Sequence, residues 1–184
     1  MLVAVAGAAV FALAEIGCSS AKPGVRECGN GRGGERIDEV AGAFRTVRLG
    51  EPGAVAQHRL PGAMRSRSGS GPLIGCGQTF LGGVNLGTTH YFLRTADLGV
   101  YVSDRRVSAL EVITSGARTL RGVAVGDELS AARAAYRERQ PQCQGESGVD
   151  QYLYPSCRIH VTRSRWLYFG GDPITEIAVT SFAL

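Results

Sequence analysis

Val47-Arg48-Leu49-Gly50-Glu51-Pro52-Gly53-Ala54-Val55-Ala56 and Val123-Ala124-Val125-Gly126-Asp127-Glu128-Leu129-Ser130-Ala131-Ala132 share one register: apolar residues, a glycine, an acid, then an Ala-rich segment. Gly50 and Gly126 stand 76 positions apart, and residues 107–113 repeat as 174–180 at an offset of 67. The first copy is longer by the difference, which the Ser/Gly-rich stretch 61–75 supplies. Self-similarity at a fixed offset marks a repeated supersecondary unit. Here each unit reads as a short helix followed by antiparallel strands. The expected fold is α+β, with two tandem copies, 41–116 and 117–184, each a short helical segment packed on an antiparallel β-sheet.

Working outward from the second copy, Asp127 is placed to cap a helix, because a carboxylate there accepts from the orphan amides of the first turn. Leu129, Ala132 and Tyr136 recur at helical spacing and form an apolar stripe, while Arg133, Arg137 and Arg139 fall on the wet side or near the C-terminus. Pro141 stops the helix. Strands are expected over 157–162, 165–169 and 174–181, with Gly170-Gly171-Asp172-Pro173 as the turn between the last two. In the first copy, strands over 98–103 and 107–114 flank a turn at 104–106.

Side chains alternate across a strand, so the pattern also assigns faces. Ile159, Val161, Leu167, Phe169, Ile177, Val179, Leu98, Val100 and Val102 form the side expected to pack under the helices. The opposite side carries Trp166, Tyr168, His160, Arg158 and Tyr101. That set makes a poor core and a good contact surface, since Trp, Tyr and Arg are enriched at interface centres. These five are the candidate partner-binding residues.

The chain has 184 residues, 44% of them hydrophobic and 20% charged, a composition that forms a core. Residues 1–14 are apolar or Gly, too few to span a bilayer as a helix, and small residues then lead to Cys18. The reading is a signal peptide over 1–17 with Cys18 as a lipidated residue, followed by a Gly/Ser-rich tether over 18–40. Of five cysteines, removing Cys18 leaves Cys28, Cys76, Cys143 and Cys157. An even number in an oxidising compartment implies disulfides, and four cysteines allow three pairings. Cys143–Cys157 and Cys28–Cys76 are the expected ones.

Other chemistry finds little footing. The 20 basic residues are scattered, with no block of five like charges, so a nucleic-acid arm is not supported. Gly29 to Gly34 formally matches G-x-G-x-x-G but follows no apolar strand, so a dinucleotide site is not expected. Cys157 and His160 have zinc-like spacing, yet residues three apart on a strand point to opposite faces, and no metal or cofactor is expected. Cys76 with His90 is the one conceivable thiol enzyme pair, but nothing in the sequence lowers its pKa or positions a base.

The apolar-x-x-Gly segments ending at Gly50 and Gly126, followed by helix and strands, resemble the superfamily that joins β-lactamase-inhibitor proteins with small lipoproteins of outer-membrane assembly. Met-Thr after the glycine is replaced here by Glu51-Pro52 and Asp127-Glu128. The inhibitor proteins contain two tandem copies, with a cysteine after the helix and another in a strand, as Cys143 and Cys157 lie here. The resemblance, over residues 44–181, implies a two-copy α+β fold whose open sheet face holds another protein. The expected function is thus a non-catalytic, exported, lipid-anchored binding module of the cell envelope with an envelope protein as partner. A secreted enzyme and a purely structural envelope lipoprotein are the alternatives.

Overall fold

The structure is a computed structural model and describes residues 34–66, 90–144 and 155–181. In chain order it runs β1 (Glu35–Asp38), β2 (Ala43–Phe44), β3 (Val47–Arg48), α1 (Gly53–Arg59), β4 (Met64–Ser66), β5 (Tyr91–Arg94), β6 (Leu98–Ser103), β7 (Arg106–Val112) and β8 (Ala117–Thr119). It continues with α2 (Leu129–Ala135), β9 (Gln142–Gln144), β10 (Ser156–Thr162), β11 (Arg165–Gly170) and β12 (Glu176–Thr180). The fold is α+β and mostly sheet. Among the described residues no helix is long and apolar enough to cross a membrane.

An eight-stranded sheet of order β4-β5-β6-β7-β12-β11-β10-β9 carries the architecture, with a four-stranded sheet β3-β2-β1-β8 beside it. Every pairing in the large sheet is antiparallel. One lateral row of partners, Leu93–Val100–Leu110–Val179–Leu167–Ile159, runs across six strands. A second row, Leu98–Val112–Ile177–Phe169–Cys157, lies beside it. All of these are buried, and Ala56 of α1 and Leu129 and Ala132 of α2 belong to the same core. The period-2 pattern of the sequence thus becomes a continuous apolar layer, the largest favourable term available to the fold.

The two Gly-acid segments end in the same device. Gly50 N–H donates to Val107 O at 2.7 Å and Val107 N–H donates to Glu51 O at 2.9 Å. Gly126 N–H donates to Ile174 O at 2.7 Å and Ile174 N–H donates to Asp127 O at 2.8 Å. Each pair of bonds fastens the turn before a helix to a later segment, Val107 in β7 in one case and Ile174, two residues before β12, in the other. Both glycines have positive φ, 82° and 98°, which side chains with a Cβ rarely adopt.

Several expectations need correction. Residues 35–40, assigned to the tether, are folded: β1 pairs antiparallel with β2 and parallel with β8, and both Ile37 and Glu39 are buried. Glu39 accepts from the Tyr136 hydroxyl at 2.7 Å and from Leu120 N–H at 3.0 Å, which ties β1 to α2. Burial, with the adjoining Glu39 carboxylate, pushes the Tyr136 hydroxyl pKa well above its ordinary value. Asp127 does not cap α2; its carboxylate accepts from Ala124 N–H at 2.8 Å, while Asp172, from the β11–β12 turn, accepts from Leu129 N–H at 3.0 Å. β7, from the 41–116 segment, and β12, from the 117–184 segment, pair directly, and β8 pairs with β1. The 67–75 part of the Ser/Gly-rich stretch lies outside the described residues.

Arg45, in the β2–β3 turn, joins the two sheets. It pairs with Glu35 at 2.7 Å and with Asp97, between β5 and β6. Burial opposes ionisation of Asp97, but hydrogen bonds from Arg45 and Thr95 and the Arg45 charge outweigh it and hold the carboxyl below its ordinary range. A depressed folded pKa stabilises above the unfolded value of about 3.9 and ceases to do so as pH falls through the folded value. Solvent reaches this cluster, so the contribution is discounted to about 1 kcal/mol. Asp97→Asn is expected to lose that much in urea unfolding at pH 7 and to converge on the parent in acid, as the pH falls through the folded value. A constant difference at pH 7 and in acid would refute the assignment.

Candidate interface on the second sheet face

The large sheet has a second face, built from the residues that alternate with the core rows. One row reads Phe92–Tyr101–Ala109–Thr180–Trp166–His160. The other reads Arg94–Gly99–Glu111–Ala178–Tyr168–Arg158–Gln142. All five candidate partner-binding residues therefore share one face, as alternation requires. The sheet brings four of them together: Trp166 and Tyr168 on β11 beside Arg158 and His160 on β10. Tyr101, on β6, is three strand spacings from β11, roughly 14 Å at the usual interstrand distance.

Their environments divide them further. The His160 imidazole stacks on the Trp166 indole with centroids 4.5 Å apart, and the Arg158 guanidinium lies 5.9 Å from the indole centroid. Arg158 Nε–H donates to Gln142 Oε1 at 2.6 Å, so the edge strand β9 orients that guanidinium. Arg158 and His160 are exposed and Trp166 is half-buried. Tyr101 and Tyr168, by contrast, are only 1% and 3% exposed and present no open ring. Tyr101 packs against Phe92 at 5.0 Å and His90 at 5.8 Å between ring centroids, and its hydroxyl pKa is raised, burial being the largest cause. The middle of this face, with Ala109, Ala178 and Thr180, is buried as well. The open surface is thus smaller than the sequence implied: Arg158, His160 and Trp166, with Gln142 as a support the sequence did not single out. Register was the missing signal, since only the pairing of β9 with β10 puts Gln142 beside Arg158.

Glu111 sits in the buried middle of the same face. A Cβ at Gly99 would lie 2.9 Å from Glu111 Oε2, so the glycine makes room for that carboxylate on the neighbouring strand.

The disulfide expectation holds at one pair: Cys143 and Cys157 are bonded as directly opposed residues of β9 and β10. Cys157 is buried on the core face and His160 is exposed on the other, so their spacing does not bring them together. Cys18, Cys28 and Cys76 lie outside the described residues. His90 is partly buried, and its Nδ1 has no hydrogen-bond partner among the described residues. Among the described residues no three His, Cys, Asp or Glu side chains converge as a metal site would require.

No family model matches the chain, and no curated protein matches it. Among solved structures it is similar to the crystal structure of the uncharacterized protein yfeY from Escherichia coli, at 14% identity and a TM-score of 0.41, over 79% of this chain and 98% of that one. A likeness of that degree says nothing about activity or partners.

Proposed function

We propose that the chain is an exported, lipid-anchored, non-catalytic binding module of the bacterial cell envelope that holds a protein partner on the β10–β11 part of its large sheet. The observation that carries this reading is the Arg158–His160–Trp166 cluster, two exposed polar side chains around a half-buried indole on the sheet face. Aromatic and Arg side chains are the anchors that dominate interface energies. The apolar leader before Cys18 supports export, and the Cys143–Cys157 bond suits an oxidising compartment.

The tandem-copy architecture belongs to the same reading. Helix, then four antiparallel strands, occurs twice: α1 with β4 to β7 and α2 with β9 to β12. The last strands of the two sets meet at the centre of the sheet, and the turns at Gly50 and Gly126 carry matching hydrogen bonds to Val107 and Ile174. What stays open of the second sheet face is its β10–β11 part, Arg158, His160 and Trp166, and that part is the one proposed to hold the partner.

The test is affinity capture from the native cell envelope with the mature protein, comparing the parent with Trp166→Ala. A hot-spot aromatic contributes about 2 kcal/mol or more, roughly a 30-fold loss of affinity on truncation. The expected result is a partner that the parent retains and the folded variant loses, with unchanged circular dichroism certifying the fold. Equal recovery by both would defeat the proposal.

A further inference from the structure

We infer, resting on the binding reading above, that the partner segment taken by this surface is acidic. Between residues 155 and 171 the chain carries Arg158, His160, Arg163 and Arg165 and no Asp or Glu at all. That span is β10, its turn and β11, the strands that display Trp166. The neighbouring edge strand β9 adds glutamines and a cysteine, again without a carboxylate. Arg139 donates to Val161 O at 2.6 Å at the end of β10, but its Nε also lies 3.9 Å from Glu138 Oε1, so that guanidinium adds no unpaired charge.

Some arginines elsewhere in the fold are ion-paired. Arg45 meets Glu35 and Asp97, Arg59 meets Glu51 at 2.7 Å, and Arg121 meets Glu138. Arg163, exposed at the tip of the β10–β11 turn, has no ion-pair partner among the described residues, whereas Arg165 alternates with Trp166 and lies on the opposite face of β11. A surface of one sign repels itself and attracts its opposite, and guanidinium groups take carboxylates bidentately. The indole, with the His160 imidazole stacked on it, supplies a flat centre beside Arg158. A lipid surface is the other anionic body in an envelope, but interfacial binding uses inserted apolar side chains. The exposed large hydrophobics among the described residues, Val40, Val55, Met64 and Leu120, all lie off β9, β10 and β11.

Trp166 is the only tryptophan in the chain, so its emission reports this surface alone. The full mature protein is titrated with a Glu/Ser dodecapeptide, its Gln/Ser and Lys/Ser counterparts, and phosphatidylglycerol vesicles. The expected result is a saturable emission change with the Glu/Ser peptide only. Its Kd should rise about tenfold when salt is raised from about 50 to about 300 mM, because partly exposed charges are screened over that range. Arg163→Ala should weaken it about fivefold, whereas Arg45→Ala, an arginine already paired elsewhere, should leave it unchanged. No saturable response to the Glu/Ser peptide, an equal response to the Gln/Ser peptide, or a response to vesicles alone overturns the inference. Failure here with Trp166-dependent capture intact removes only the acidic partner. Loss of capture as well removes the binding reading itself.

Discussion

Leu110→Ala is expected to destabilise the whole chain by about 3 kcal/mol and to do so in one transition. Leu110 is buried on β7, at the centre of the lateral row, between Val100 of β6 and Val179 of β12. Truncating a buried leucine removes transfer free energy and leaves a cavity that neighbours fill only in part. Here the neighbours are held by strand pairing on both sides, so collapse into the space is limited. For a protein of this size the loss corresponds to a fall in Tm of roughly 6–12 °C. The position also tests whether the sheet is one cooperative body. Trp166 sits on β11, on the other side of the β7–β12 seam, and reports only the second half. Its emission should therefore shift at the same lowered temperature as the far-ultraviolet circular dichroism signal. If circular dichroism falls first while Trp166 emission keeps the parent midpoint, the two halves unfold separately and the seam does not couple them.

The offsets that align 47–56 with 123–132 and 107–113 with 174–180 pick out residues that the structure joins by matching hydrogen bonds, Gly50 to Val107 and Gly126 to Ile174. The strand over 98–103 and the core face were legible because alternation fixes which side chains share a side. What alternation does not fix is whether a side is open. Tyr101 and Tyr168 were assigned to the correct face and are nevertheless buried, since the centre of that face is covered and its rim is not. β1 escaped notice for a different reason. It is four residues long, three of them charged, and its parallel partner β8 is some 80 positions away, so no local pattern announces it. The cap on α2 was misassigned for the same reason: the carboxylate that accepts from Leu129 N–H belongs to Asp172, 43 residues on, rather than to the adjacent Asp127.

Breaking the Cys143–Cys157 bond is expected to cost about 3 kcal/mol, the chain-entropy value for a loop of this length. The two cysteines are 14 residues apart, and the bond limits the unfolded chain as well as fastening β9 to β10. Because either partner alone abolishes the link, Cys143→Ala should lose nearly as much as the double variant Cys143→Ala/Cys157→Ala. Non-additivity of this kind is what residues acting as a unit show. Reduced parent protein should unfold at nearly the same urea concentration as the double variant, with both thiols then open to alkylation. Alkylation of Cys143 and Cys157 in the unreduced parent, or an unchanged midpoint on reduction, would refute the bond. The consequence reaches the candidate surface through Gln142. β9 is three residues long and pairs on one side only, and its Gln142 orients Arg158 over Trp166. Once the bond is gone, β9 is held in the sheet by its pairing with β10 alone, so Arg158 should lose the Gln142 support while the His160–Trp166 stack, made by β10 and β11, persists. Partner affinity should then fall by the Arg158 share and not by the Trp166 share. A drop as large as that of Trp166→Ala would mean that the disulfide holds the whole face together rather than its edge.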